Sequence, residues 1–513
     1  MSTKFDVTKG NRDWYGLDAV LRNKISTKLR VIFERYGFEP IETPIIESLE
    51  AVTLKGGGEI KKEIFRLSDQ GNRDLALRFD QTVPLARFVA THEDIKFPFK
   101  RYTMGPVFRD GPTQPEQGRY RQFTQCDVDT LGVPQMAAEA ELFALAYDAF
   151  KMLGLGGVDV NINNRKLLEG ILECAQVPVF ARLRTISVLD KMDKIGEEGI
   201  RESLTKLTLY DKARGVSNDT LLKAKALFKE KGVSAISSLR GEIISEVGEH
   251  GYSEISGLLS TVQSPDDAIS KIDSYQTQGE ILLTKNMVAD LMSLVQRQED
   301  NKSTYKKLEG EIGANATGNQ GLKEIKQLLE YSESMGFDFV HFDPSLARGL
   351  DYYTGTTIEV FLRDRNILNS AILGGGRFDN MVGDFRGRDE EIPAVGFSFG
   401  LERLVMILKK QNPEARKTTT QLYLIPIRDT LGDCLKAAHN LRKEGVNLDI
   451  YFQKGKVGKA IEYAVAKGIP YVGMIGEDEL SSKTIKIKNL AKGTQDSVSL
   501  SDVARYLTGI SAD

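Results

Sequence analysis

The chain has 513 residues, 27% of them charged and 41% hydrophobic, with a formal net charge of −3. That length exceeds what one hydrophobic core organises, the composition is that of a soluble globular protein, and the charge excludes a strongly basic nucleic-acid protein while leaving room for a local basic face. No run approaches the ~18 consecutive apolar residues of a membrane span, and the N-terminus has neither an apolar signal core nor an Arg-rich presequence, so a cytoplasmic location and no membrane partner are expected. Cys126, Cys174 and Cys434 stand far apart and only four histidines occur, so no protein-borne metal site is identified.

From the N-terminus, Asp18 to Tyr36 carries Val20, Leu21, Ile25, Leu29, Ile32 and Phe33 at helical spacing, and Gly37 suits a left-handed C-terminal position. The extended run that follows holds Pro40 and Pro44. Proline cannot donate to a ladder, so an edge or interface strand is expected, serving either dimerisation or an ordinary sheet edge. Gly56 to Gly58 reads as a loop and Asp74 to Phe79 as a strand. Asp80 and Thr82 fall where that strand turns into a helix with Pro84 early in it, a place suited to N-capping and to holding ligand groups.

Gly105 to Asp129 reads as a hairpin around a loop rich in Gly, Pro and Gln. In its second limb, period-two alternation puts Arg119, Arg121, Phe123, Gln125, Asp127 and Asp129 on one face, and Tyr120, Gln122, Thr124, Cys126 and Val128 on the other. Cations, an aromatic ring, an amide and carboxylates make a poor core. They suit a ligand carrying a phosphate, a flat ring and an amine, and Arg109 is expected to point into the same space. Cys126 reads as a small filler of the apolar face rather than a reactive thiol.

Leu142 to Leu153 reads as an amphipathic helix, Val158 to Ile162 as a strand, and helical sequence continues to about Ile195. Gly196 to Gln320 is rich in Lys and Glu, with Leu and Ile at three- and four-residue spacing, and reads as an inserted helical domain. Chemistry returns in DPSLARGLDYYTGTTIEVF, Asp343 to Phe361, and in ILGGGRFD, Ile372 to Asp379. Gly374, Gly375 and Gly376 allow either close approach to a ligand or a hairpin loop. Ala394 to Phe399 reads as a strand and Leu401 onward as a helix. Arg403 lies in that helix's first turn, where the macrodipole disfavours a cation, so either an anion sits nearby or the side chain is solvated. Beyond Lys417 the expected elements are strands at Gln421–Ile427, Asn447–Phe452, Tyr471–Ile475 and Lys483–Leu490, with helices at Asp433–Glu444, Lys459–Lys467 and Ser501–Leu507. They imply a small α/β domain with a mostly parallel sheet. Lys454, Lys456 and Lys459 form a basic cluster that fits a solvated face or an RNA contact.

Together these segments resemble class II aminoacyl-tRNA synthetases, specifically the histidyl-tRNA synthetase family. The helix from Asp18 with the strand through Pro44 resembles motif 1, Phe108-Arg109 through Phe123 motif 2, and GFSFGLERL motif 3. ARGLDYYTG and LGGGRFD resemble the family's histidine-specific strings. The resemblance implies an α+β catalytic domain on an antiparallel sheet (1–195 and 321–416), a helical insertion (196–320) and a C-terminal α/β anticodon-binding domain (417–513).

It further implies that Arg109 holds the α-phosphate of ATP, with Arg121 on the nucleotide side, Phe123 stacking on adenine, and Arg403 opposite it reaching the γ-phosphate. Asp80, Thr82 and Gln125 bind the amino group of histidine, Asp129 and Tyr353 read the ring nitrogens, and Tyr352 walls the pocket. Arg348 stands at the α-phosphate. The implied chemistry joins histidine to its tRNA through an adenylate. ATP, Mg2+, the acceptor stem and the anticodon are the implied partners, in a homodimer. The competing reading is a non-catalytic paralogue, the regulatory subunit of ATP phosphoribosyltransferase.

Overall fold

The computed structural model describes residues 5–54, 62–155, 157–207, 283–347, 352–411, 417–453 and 456–509. By its internal contacts the chain divides into residues 28–404 and a second unit of residues 1–27 with 405–513. The Gly56 to Gly58 loop, Lys454 and most of the expected helical insertion lie outside the described residues.

The long N-terminal helix runs Gly16–Arg35, and Gly37 follows it at φ 78°. Its last turns dock by apolar and polar contacts alike. Phe33 packs on Tyr102 and Phe399 at ring distances of 5.6 and 5.8 Å, while Tyr36 donates to Asp148 at 2.8 Å. The extended run after the helix divides, which differs from the expected single strand. β1 (Glu39–Pro40) pairs parallel with the edge of a large sheet, and β2 (Ile46–Ser48) joins a small antiparallel sheet with β3 (Arg66–Ser68) and β4 (Asp74–Leu77). Pro44 belongs to neither strand. It lies in the link between two sheets, where a missing N–H leaves no ladder bond unmade.

The large sheet continues with β5 (Phe99–Phe108), β6 (Gln122–Leu131), β7 (Val158–Asn164), β8 (Val340–Phe342), β9 (Thr356–Leu362), β10 (Leu373–Arg377) and β11 (Ala394–Gly400). Its order is β1-β5-β6-β11-β10-β9-β7-β8, antiparallel at every internal pairing and parallel only at the two outermost ones. The three glycines Gly374 to Gly376 lie in β10, in the middle of this sheet, and not in a hairpin loop. A Cβ on Gly375 would meet the Gly396 carbonyl oxygen at 2.2 Å, so the tight approach of β10 and β11 requires glycine there.

The helix Thr82–Thr91 and the short helix Met381–Arg386 close one side of this unit. Val83, Leu85, Ala86 and Val89 share a buried cluster with Phe378, Met381, Val382 and Tyr352. That cluster ties the segment before β9 to the N-terminal end of Thr82–Thr91. The helix Ala316–Ser334 runs unbroken through residue 320. Its Gly321 passes so close to the helix Arg165–Cys174 that a Cβ would lie 2.4 Å from Leu167 N.

The C-terminal sheet consists of β12 (Leu422–Pro426), β13 (Leu448–Ile450), β14 (Tyr471–Ile475), β15 (Thr484–Asn489) and β16 (Gln495–Ser499), in the order β13-β12-β14-β15-β16. It is parallel across β13, β12 and β14 but antiparallel from β14 onward, which corrects the mostly parallel expectation. After β14 the chain makes only the six-residue helix Glu477–Ser482, too short for a crossover, and therefore returns antiparallel. Both faces are buried. Leu422 and Leu424 pack with the helix Leu431–Lys443 through Cys434, Ala438 and Leu441, whereas Tyr423 and Ile425 pack with Val457–Lys467 through Ala460 and Ala464.

Candidate active site

β6 is paired on both sides, and this fixes what surrounds its polar face. Asp127 lies opposite Thr103 of β5 and Ser398 of β11, while Asp129 lies opposite Arg101 and Gly396. Cys126 and Val128, on the other face, are fully buried. Arg101 is also buried, and its Nη2 lies 2.8 Å from Asp129 Oδ2 and donates to the Gln81 carbonyl at 3.0 Å.

The second wall comes from the turn between β4 and the helix Thr82–Thr91. Asp80 Oδ1 accepts from the backbone N–H groups of Thr82 and Val83 at 3.1 and 2.9 Å, two of the donors a helix start leaves unpaired. Its other oxygen accepts from the Tyr352 hydroxyl at 3.4 Å. Capping and site-building are therefore carried by the same carboxylate. Arg109 follows β5, lying 4.2 Å above the Phe79 ring and 5.2 Å from that of Phe123, with its Nε donating to the Phe79 carbonyl at 3.3 Å.

These walls enclose one pocket. Asp80, Thr82, Arg109, Gln125, Asp129, Tyr352 and Tyr353 all line it, together with Asp127, Ser398 and the backbone of Gly374, Gly375 and Gly396. The glycines make the space. A Cβ on Gly396 would sit 2.0 Å from Asp129 Oδ1, and one on Gly376 would lie 3.0 Å from the Tyr353 ring. Burial pushes the Asp80 carboxyl up, with the Val83 N–H, Arg109 and the Thr82 N–H pulling it back. Burial likewise raises Asp127 and Asp129 against the opposing pull of Arg101, and their neighbouring charges add to the rise. Burial and the three carboxylates push the Tyr353 hydroxyl well above its ordinary value, so it stays a donor.

Other expected site residues lie elsewhere. Arg121 does not line the pocket. β6 begins only at Gln122, so the alternation does not reach back to Arg119 or Arg121, and the Arg121 guanidinium turns to Asp110 at 3.0 Å. Phe123 meets Arg109 outside the pocket wall. Arg403 donates to the Ala371 carbonyl and sits beside Gly118 at the tip of the hairpin, where a Cβ would lie 3.2 Å from Arg403 Cγ. Tyr353 precedes the strand, since β9 starts at Thr356. Arg348 lies outside the described residues. Sequence reasoning gives no individual role to Arg101, Asp127, Ser398 or Gly396. For Asp127 the period-two pattern is the signal; for Arg101 and Ser398 only the strand register supplies one.

The family model described as histidyl-tRNA synthetase matches residues 10–240 and 268–404, and one for an anticodon binding domain matches residues 421–510. The chain belongs to the histidyl-tRNA synthetase family. It is 36% identical over 503 residues to the histidine–tRNA ligase 1 of Bacillus cereus, covering 97% of this chain and 98% of that one. Among solved structures it resembles the histidyl-tRNA synthetase of a Nostoc species, with a TM-score of 0.73 at 26% identity, over 99% of this chain and 100% of that one. A Bacillus halodurans protein described as an ATP phosphoribosyltransferase regulatory subunit/histidyl-tRNA synthetase shares the fold, with a TM-score of 0.59 at 20% identity over 90% and 97% of the two chains. The antiparallel catalytic sheet and separate C-terminal sheet are those of the family.

Proposed function

We infer that the protein is a histidine–tRNA ligase. It activates histidine with ATP to the adenylate, releasing pyrophosphate, and transfers the histidyl group to the 3′ end of its tRNA. The observation that carries the reading is the pocket itself, in which buried carboxylates of Asp80 and Asp129 converge with Thr82, Gln125 and Tyr353 beside the Arg109 guanidinium. Asp80, Thr82 and Gln125 offer three acceptors to an ammonium group, and the Gln125 Oε1 has no hydrogen-bond partner among the described residues. Asp129 and Tyr353 then face the ring. The substrate carboxylate is already a nucleophile at neutral pH, so its attack on the α-phosphorus needs no activating base. In-line placement and fixed positive charge on the phosphate oxygens are what the site must supply. Arg109, which cannot lose its proton, supports that role, as does Arg348 by its place in the family string.

Phe123 is proposed as the adenine platform and Arg403 as a contact of the distal phosphates. No group of three or more His, Cys, Asp or Glu among the described residues could hold a metal ion. Mg2+ is assigned to the phosphates of the nucleotide substrate. Residues 417–513 are proposed to bind the anticodon, and residues 196–320 to contact the acceptor arm. A homodimer in the cytoplasm completes the proposal, testable by sedimentation and fractionation. No helix among the described residues is long and apolar enough to cross a membrane.

Purified protein is expected to catalyse histidine-dependent exchange of pyrophosphate into ATP with Mg2+ present. The absence of exchange with histidine, beside a positive control enzyme, would return the chain to the regulatory-subunit reading.

A further inference from the structure

The pocket contains a carboxylate that the scheme above leaves unused. Asp127 is 3% exposed, lines the pocket, and has an Oδ1 with no hydrogen-bond partner among the described residues. Its two companions are engaged, Asp129 with Arg101 at 2.8 Å and Asp80 with two backbone N–H groups. The Ser398 hydroxyl is a hydrogen-bonding neighbour of this carboxyl, but a buried carboxylate oxygen left without a donor is costly, and a ligand that brings one relieves that cost.

Counting donors identifies which part of the amino acid this is. The ammonium has three N–H bonds, which Asp80, Thr82 and Gln125 accept. The remaining donors belong to the ring, and a neutral imidazole has only one N–H, whereas an imidazolium has two. Asp127 and Asp129 project from one face of β6 two residues apart, a spacing of roughly 6.7 Å along a strand. An imidazolium with a charge-assisted hydrogen bond of about 2.8 Å on either side bridges a gap of this size.

We propose that Asp127 and Asp129 clamp the histidine ring between them, so that histidine is bound together with one proton more than the neutral-ring amino acid carries. The proposal rests on the ligase reading of the pocket, and it places Asp127 as a substrate-binding residue at the second ring nitrogen, where that reading put Tyr353. The other groups that face Asp127 are Arg78, which precedes the helix with Asp80, Arg101 of β5, Ser398 of β11 and Tyr353 ahead of β9. Arg78 is already bound to the carbonyls of Pro106 and Thr43, and Arg101 to Asp129 and Gln81. Burial and mutual repulsion raise both carboxyls, so the empty pair keeps a proton near neutrality and has lost it at more alkaline pH.

Titration calorimetry of the full chain with L-histidine, at pH 8.5 in buffers of different ionisation enthalpy, reads this proton directly. The wild-type protein is expected to take up close to one proton more per bound histidine than Asp127→Asn, whose amide can donate to a neutral ring instead. The contribution of the substrate's own α-amino group is common to both proteins and cancels. Between pH 7.5 and 8.5 the wild-type Kd should rise by up to tenfold, and that of the variant should stay nearly flat. Histidine binding by the wild type without proton uptake, or equal uptake by both proteins, overturns the clamp and leaves the ligase reading standing. Failure of the wild type to bind histidine at all overturns both. The wild-type uptake decides even if the variant does not fold.

Discussion

Asp129 and Arg101 show how much a single buried pair decides. Each is nearly sealed from solvent, so the Arg101 guanidinium and the Asp129 carboxylate compensate one another where water cannot. Removing the cation by Arg101→Met is expected to cost about 3–5 kcal/mol in denaturant-determined stability, because an uncompensated carboxylate remains buried. A loss below 1 kcal/mol would mean that Asp129 is satisfied without Arg101. The acidic pair also sets a pH dependence. Burial foremost raises Asp127 and Asp129, so the folded protein keeps protons that the unfolded chain, with carboxyls near 4, has lost. Their contribution to stability is fully present below about pH 4 and is lost as pH rises toward neutrality. Asp127→Asn should therefore flatten the stability curve between pH 5 and 7.5 in urea melts; an unchanged slope would remove Asp127 as its source.

At the level of elements, the site depends on one approach of three strands. β6, β11 and β10 lie side by side, and the glycines of the last two leave the hollow that the Asp129 carboxylate and Tyr353 ring border. Gly396→Ala is the sharp test, because its Cβ would lie 2.0 Å from Asp129 Oδ1 and 2.7 Å from the Val128 carbonyl oxygen. We expect KM for histidine in pyrophosphate exchange to rise by about tenfold or more, equivalent to some 1.4 kcal/mol, with circular dichroism unchanged. A variant with normal KM would show that Asp129 yields freely and does not set the pocket's shape. The hairpin of β5 and β6 makes a related point. Between the paired residues Phe108/Gln122 and Gln114/Arg119, the first limb has five residues and the second two. The limbs therefore fall out of simple register, and Arg121 leaves the face that alternation gives it.

For the whole molecule, the proposal assigns adenylate formation and tRNA selection to different parts of the chain. The pocket lies wholly within residues 28–404, and the C-terminal sheet has its own two cores in the other unit. Deleting residues 418–513 should reduce aminoacylation of tRNA far more than histidine-dependent pyrophosphate exchange, measured on the same preparation. Equal losses in both assays would contradict a division of labour between adenylate formation and tRNA selection.

The family, the kind of most elements and many of the residues that line the pocket are legible in the chain alone. Asp80 at a strand-to-helix turn, Gln125 and Asp129 at period two, and the paired tyrosines after Arg348 are local signals, carried by spacing and residue chemistry over a few positions. Which strands are neighbours, and at what register, emerges from the fold. It placed Arg101 against Asp129, brought Ser398 and Asp127 together, separated β1 from β2, and turned the last strands of the C-terminal sheet antiparallel. The physical reason is that cross-strand partners depend on loop length and bulges distant in sequence, and a slip of one residue exchanges the two faces of a strand. Asp127 stands between the two cases. Its face was legible from alternation, while its burial without a partner follows only from the strands packed on either side of it.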